Sequence, residues 1–138
     1  MVLYDRIDIA ILDDDPLHRT LLRKLLEADG YAISIEEKTG EDFLERMKSI
    51  IPLPHVCIVD IFLPGMDGFE TIKQVKDGWP TVKVIAYTGL VEPTTFEKAI
   101  DAGADLLMLK GEHPKKMIRT IEGLIEDWKE SDDRSYLL

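Results

Sequence analysis

What this sequence has little of limits what it can be. It holds one cysteine, Cys57, inside an apolar run. A single buried thiol builds neither a disulfide framework nor a cysteine-based metal cluster, and it suits a reducing compartment. No histidine–cysteine arrangement with zinc-site spacing occurs. Positive charge is scarce: 17 basic residues stand against 27 acidic ones, a formal net charge of −10. Such a surface serves solubility and repels nucleic acid and anionic membrane, so direct DNA binding by this chain is not expected. Long apolar runs are missing too. The longest, Val56 to Leu63, is broken by Asp60 and is far too short to span a bilayer. The first six residues carry charge where a signal peptide needs an apolar stretch, so the expected compartment is the cytoplasm.

What is present reads as an ordinary globular chain: 138 residues, 45% hydrophobic and 32% charged. Short apolar runs alternate with segments of helical period. Ile7 to Leu12, Tyr31 to Ile35, Val56 to Val59, Val82 to Tyr87 and Leu106 to Leu109 are the strand candidates. Between them lie helical stripes: Leu17, Leu21, Leu22, Leu25 and Leu26, then Phe43, Leu44, Met47, Ile50 and Ile51. Phe69, Ile72 and Val75 follow, then Phe96, Ala99 and Ile100. Met117, Ile118, Ile121, Leu124, Ile125 and Trp128 mark the last helix, and the residues from Glu130 read as a polar tail. Strict βα alternation predicts a parallel sheet with helices on both faces, and strands that are apolar throughout agree with it. No repeat or linker-like stretch divides the chain. The expectation is one three-layer α/β domain over residues 1–130, with 131–138 a polar C-terminal tail or the start of a linker.

In an open α/β sheet the ligand crevice lies outside the carboxyl ends of the strands. After the first strand come Asp13, Asp14 and Asp15; the third ends at Asp60, the fourth at Thr88 and the fifth at Lys110. Each alone has a plain structural use. Asp15 before Pro16, for instance, suits a helix N-cap followed by proline at the first helical position. Together they make a cluster at one sheet edge. Carboxylates crowded there suit a hard cation with oxygen ligands, best Mg²⁺. An aspartate can also act as a nucleophile and form an acyl phosphate. Phosphoryl transfer then needs positioning and positive charge, which Mg²⁺ and a lysine supply, while a threonine hydroxyl can bond a phosphate oxygen.

These residues resemble the response-regulator receiver domain of two-component signalling, over roughly Ile7 to Trp128. Residues 9–16 (IAILDDDP), 59–68 (VDIFLPGMDG), 84–89 (VIAYTG) and 102–110 (AGADLLMLK) look like four of its motifs, in the right order and spacing. The resemblance implies a flavodoxin-like doubly wound sheet of five parallel strands in the order 2-1-3-4-5. It makes Asp60 the phosphoacceptor, fed by a sensor histidine kinase or a histidine phosphotransfer protein. Asp13, Asp14, Asp60 and the backbone carbonyl of Phe62 become the Mg²⁺ site, with Asp14 a direct ligand. Lys110 would pair with the phosphoryl group and Thr88 would swing toward it. Pro64, Gly65 and Gly68 shape the phosphoacceptor loop. Such a chain catalyses only its own phosphorylation and dephosphorylation. The face implied for a downstream partner, an output domain or a second copy in a homodimer comprises the fourth helix, fifth strand and fifth helix.

The sequence departs from the family at three places. Gly111 follows Lys110 where the family usually has a proline, often in a cis bond, so a trans bond is expected here. Leu107 stands where an aromatic often reports the threonine's movement. Phe62 and Leu90, two residues beyond Asp60 and Thr88, cannot orient an attacking water, which predicts slow self-dephosphorylation. Two rival readings fit parts of the same sequence. One is a haloacid-dehalogenase-like phosphatase, suggested by Asp13-x-Asp15; Leu17 replaces its expected threonine, and Asp132 and Asp133 follow the wrong element for its late acidic pair. The other is a receiver-like interaction module independent of phosphorylation, for which none of the expected losses has occurred.

Overall fold

The computed structural model describes residues 6–63 and 65–135, with side chains to residue 126. Pro64, the last three residues and the side chains of Trp128, Asp132 and Asp133 lie outside what it describes. Five strands alternate with five helices: β1 (Asp8–Leu12), α1 (Pro16–Ala28), β2 (Ala32–Glu37), α2 (Gly40–Ser49), β3 (Val56–Asp60), α3 (Gly68–Gly78), β4 (Lys83–Thr88), α4 (Thr95–Ala102), β5 (Leu106–Leu109) and α5 (Pro114–Ser135). All strand pairs are parallel, in the order β2-β1-β3-β4-β5. This is the flavodoxin-like arrangement expected from the sequence.

The sheet separates two apolar layers. Alternate side chains of β1, β3 and β4, among them Ala10, Leu12, Cys57, Val59, Val84 and Ala86, pack with Phe43, Met47, Ile72, Val75 and Ala99 of α2, α3 and α4. The opposite set, Ile9, Ile11, Val56, Ile58 and Ile85, packs with Leu22 and Leu26 of α1 and Met117, Ile121 and Ile125 of α5. Both faces of the central strands are therefore covered, which is why β1 and β3 are buried along their whole length. Burial pushes the Cys57 thiol well up, so it behaves as a small apolar residue.

Aspartates in the connecting loops cap two of the helices. Asp15 caps α1, accepting from the N–H groups of Leu17 and His18 at 3.0 and 3.3 Å, with Pro16 next in line. Asp67 caps α3 by accepting from the N–H of Glu70 at 2.8 Å. Two helical stripes prove narrower than their periodicity predicts. In α1, Leu22 and Leu26 are buried, whereas Leu17 and Leu21 are 68% and 57% exposed. In α4, Ala99 is buried but Phe96 and Ile100 are 59% and 42% exposed. Ile51 lies beyond the end of α2 and is exposed. Helix α5 runs on to Ser135, past Glu130. No glycine or proline interrupts the chain between Leu124 and that point.

Candidate functional site

The carboxyl ends of β1, β3 and β4 and the residue after β5 converge at the β1/β3 switch point. Asp13 follows β1 and Asp60 closes β3; both are buried, at 1% and 5% exposure, while Asp14 beside them is exposed. One carboxylate oxygen from each of Asp13, Asp14 and Asp60 lies within 4.8 Å of the others. Lys110, just past β5, places its Nζ 3.1 Å from Asp13 Oδ2 and 3.0 Å from Asp60 Oδ2. Three carboxylates and one lysine leave the cluster short of positive charge, and this donor set of hard oxygens fits Mg²⁺.

Hydrogen bonds from the backbone orient the acids. The N–H of Asp15 donates to Asp13 Oδ1 at 2.9 Å, and the N–H of Phe62 donates to Asp60 Oδ1 at 3.1 Å. Arg19 grips the same corner, its Nη1 donating to the Asp13 carbonyl at 2.7 Å. Burial pushes the Asp60 carboxyl above its ordinary range, and the Lys110 bond and charge offset this only in part. For Lys110, burial pulls down, but the bonds to Asp60 and Asp13 outweigh it and the ammonium ends above its ordinary value. The lysine therefore stays charged between two acids.

The loop after Asp60 is held by close backbone packing. Gly68 donates to the Ile61 carbonyl at 2.8 Å. A Cβ at this position would lie 2.3 Å from the Asp60 carbonyl oxygen and 2.4 Å from Ile61 Cα, so only glycine fits. On the other side of the site, Gly111 takes φ +87°, a left-handed conformation open to glycine. The only cis peptide among the described residues is Ile51–Pro52, so the Lys110–Gly111 bond is trans, as the missing proline predicted.

Asp13, Asp14, Asp60 and Lys110 are thus brought together as the sequence anticipated, and Asp15 serves as the helix cap. Thr88 is buried at the neighbouring strand end, but its hydroxyl is engaged within its own loop. It donates to the Leu90 carbonyl at 2.9 Å and accepts from the Leu90 N–H at 3.1 Å. Phe62 and Leu90 flank the site with exposed apolar side chains. Leu107 is half-buried against the layer of α2, α3 and α4.

Two residues escaped the sequence reading. His18 Nδ1 lies 2.7 Å from Asp13 Oδ2. The Tyr87 ring lies beneath both His18, with ring centroids 5.4 Å apart, and Lys110, whose Nζ is 5.7 Å from the ring centre. The signal for His18 was its place in the first turn of a helix capped by Asp15. Helical side chains lean toward the N-terminus, so a first-turn residue points back at the strand end.

The profile of the response regulator receiver domain family matches residues 9–122. The chain is 26% identical to the chemotaxis protein CheY of Thermotoga maritima, an alignment covering 82% of this chain and 92% of that one. It is 29% identical to the response regulator GacA of Pseudomonas syringae over 83% of this chain and 53% of GacA, so it spans about half that relative's length. Among solved structures, a CheY-like response regulator receiver domain protein from Methanospirillum hungatei superimposes with a TM-score of 0.82. That pair is 29% identical, and the match covers 90% of this chain and 98% of the other.

Proposed function

The chain belongs to the response regulator receiver domain family of two-component signalling, and on that premise we propose that it is a phosphoacceptor switch working through Asp60. The observation that carries this reading is the lysine shared between two buried aspartates at the β1/β3 switch point, with a third carboxylate exposed alongside. An Asp60 carboxylate oxygen attacks the phosphorus of a phosphohistidine on a sensor kinase or phosphotransfer protein. The P–O bond forms, the P–N bond breaks, and the imidazole leaves with the bonding pair and takes up a proton. Asp13, Asp14, Asp60 and the Phe62 carbonyl would hold Mg²⁺, which when bound neutralises charge on the acids and the incoming phosphoryl group. Lys110 turns from Asp13 toward the phosphoryl oxygens. Thr88 exchanges its two bonds to Leu90 for one to the phosphoryl group, which shifts the population of the loop leading into α4.

The output face in this reading is α4, β5 and α5, where Phe96, Ile100, Leu106 and Leu109 stand exposed. It would receive a downstream protein, an output domain or a second copy of the chain. The family consists mostly of signal transducers without enzymatic output, and we assign this chain no activity beyond its own phosphorylation and dephosphorylation. We also propose a cytoplasmic placement, on the family's place in two-component signalling; no helix among the described residues is long and apolar enough to cross a membrane.

The test is intact-mass spectrometry after incubation with acetyl phosphate, with and without MgCl₂, alongside Asp60→Ala. The expected result is a phosphate-sized gain that requires Mg²⁺ and is absent from the variant. A folded, Mg²⁺-saturated protein that gains nothing would leave the phosphorylation-independent interaction module as the better reading.

A further inference from the structure

On the receiver reading proposed above, His18 has a place in the site but no part in the transfer. Its Nδ1 lies 2.7 Å from Asp13 Oδ2. A carboxylate oxygen accepts and does not donate, so this nitrogen carries the proton. Lys110 reaches the same oxygen at 3.1 Å from the side of Asp60, and the Asp15 N–H occupies Asp13 Oδ1. Asp13 is buried, so water cannot simply replace a donor that leaves it. Yet Lys110 has a second task, pairing with the charge that arrives on Asp60. With lysine as its only side-chain donor, the Asp13 oxygen that Lys110 and His18 share would keep drawing on that ammonium at the moment of transfer, even while Asp13 helps to hold Mg²⁺.

We infer that His18 is a positioning residue that anchors Asp13 independently of Lys110, freeing the lysine for Asp60 and its phosphoryl group. The imidazole is well placed to stay put. It rests on the Tyr87 ring and is fixed at the start of α1, whose N-cap Asp15 follows Asp13 by two residues. Two donors on fixed backbone elements, the Asp15 N–H and the His18 ring, then define the Asp13 carboxylate plane. Lys110, on its flexible stem, remains mobile.

The experiment compares wild type, His18→Leu and His18→Asn, each also in an Asp13→Asn background. Leucine keeps the packing against Tyr87 without a donor; asparagine places an amide N–H near the position of Nδ1. Mg²⁺ is titrated by calorimetry, and phosphorylation from acetyl phosphate is timed at saturating Mg²⁺, with thermal melts as the folding control. The expected result is that His18→Leu weakens Mg²⁺ binding and slows phosphorylation by about tenfold each. His18→Asn should recover most of both. In the Asp13→Asn background the His18 changes should add nothing, because the residue acts through Asp13. Unchanged Mg²⁺ affinity and rate in a folded His18→Leu protein would overturn the inference, as would full additivity with Asp13→Asn. A wild-type protein that takes neither Mg²⁺ nor phosphate overturns instead the receiver reading beneath it.

Discussion

At the scale of single residues, the site carries a stability cost that can be measured. Burial holds the Asp60 carboxyl above its ordinary range despite the Lys110 bond. For an acid raised in this way, ionisation costs the folded state. The cost is absent below the ordinary carboxylate pKa, grows as pH rises toward the raised value, and is complete above it. Asp60→Asn is therefore expected to melt a few degrees above wild type at about pH 7, and the gap should close as pH falls toward about 4. Melts in metal-free buffer across that range check it; a variant that melts lower than wild type at neutral pH would contradict the assignment. Legibility at this scale was uneven. Asp60, Thr88 and Lys110 could be read because a strand end announces the crevice. His18 was harder to read, because its one signal was a first-turn position behind the Asp15 cap, and the apolar stripe of that helix does not point to it.

At the scale of elements, the loop between β3 and α3 depends on one missing side chain. Gly68 lies against the Asp60 carbonyl and Ile61 Cα, both backbone atoms that cannot swing aside. Gly68→Ala should destabilise the protein by about 1–3 kcal/mol through overpacking, and it should also reduce phosphate uptake by displacing Asp60. Urea denaturation and intact-mass spectrometry read the two effects separately, and an alanine variant of unchanged stability would show that the loop can yield. The element order followed from alternation alone, whereas the register did not: β1 and β2 slip against each other between Ile9 and Ala10. What the periodicity overstated was helix burial. In α1 and α4 the stripe spans more of the helix than the sheet can cover, so Leu17, Leu21, Phe96 and Ile100 remain on the surface. Apolar spacing records which residues could face inward; how many do depends on neighbouring helices that the local sequence does not encode.

At the scale of the whole molecule, strand order does the assembling. Placing β1 beside β3 brings residues 47 positions apart, Asp13 and Asp60, onto one lysine from beyond the edge strand β5. No segment of the chain carries the site by itself. On the proposed function, the surroundings of that site would also set how long a phosphorylated state lasts. Phe62 and Leu90 offer no polar group to hold a hydrolytic water, so the expected half-life is minutes or longer, followed by mass or by precipitation of labelled protein. Phe62→Asn should shorten it severalfold, and a wild-type decay complete in seconds would rule the argument out.

The pair of bonds between Thr88 and Leu90 has a consequence for information rather than chemistry. A relay is useful in proportion to the contrast between its silent and its driven level, and these bonds help set the silent one. Each ~1.4 kcal/mol by which they favour the resting loop lowers the unstimulated background about tenfold. In the proposed switch, the driven level would depend on a different partner for the same hydroxyl. Changes around Leu90 would thus tune leakage without touching the acids that receive the message, leaving dark noise and full signal open to separate adjustment.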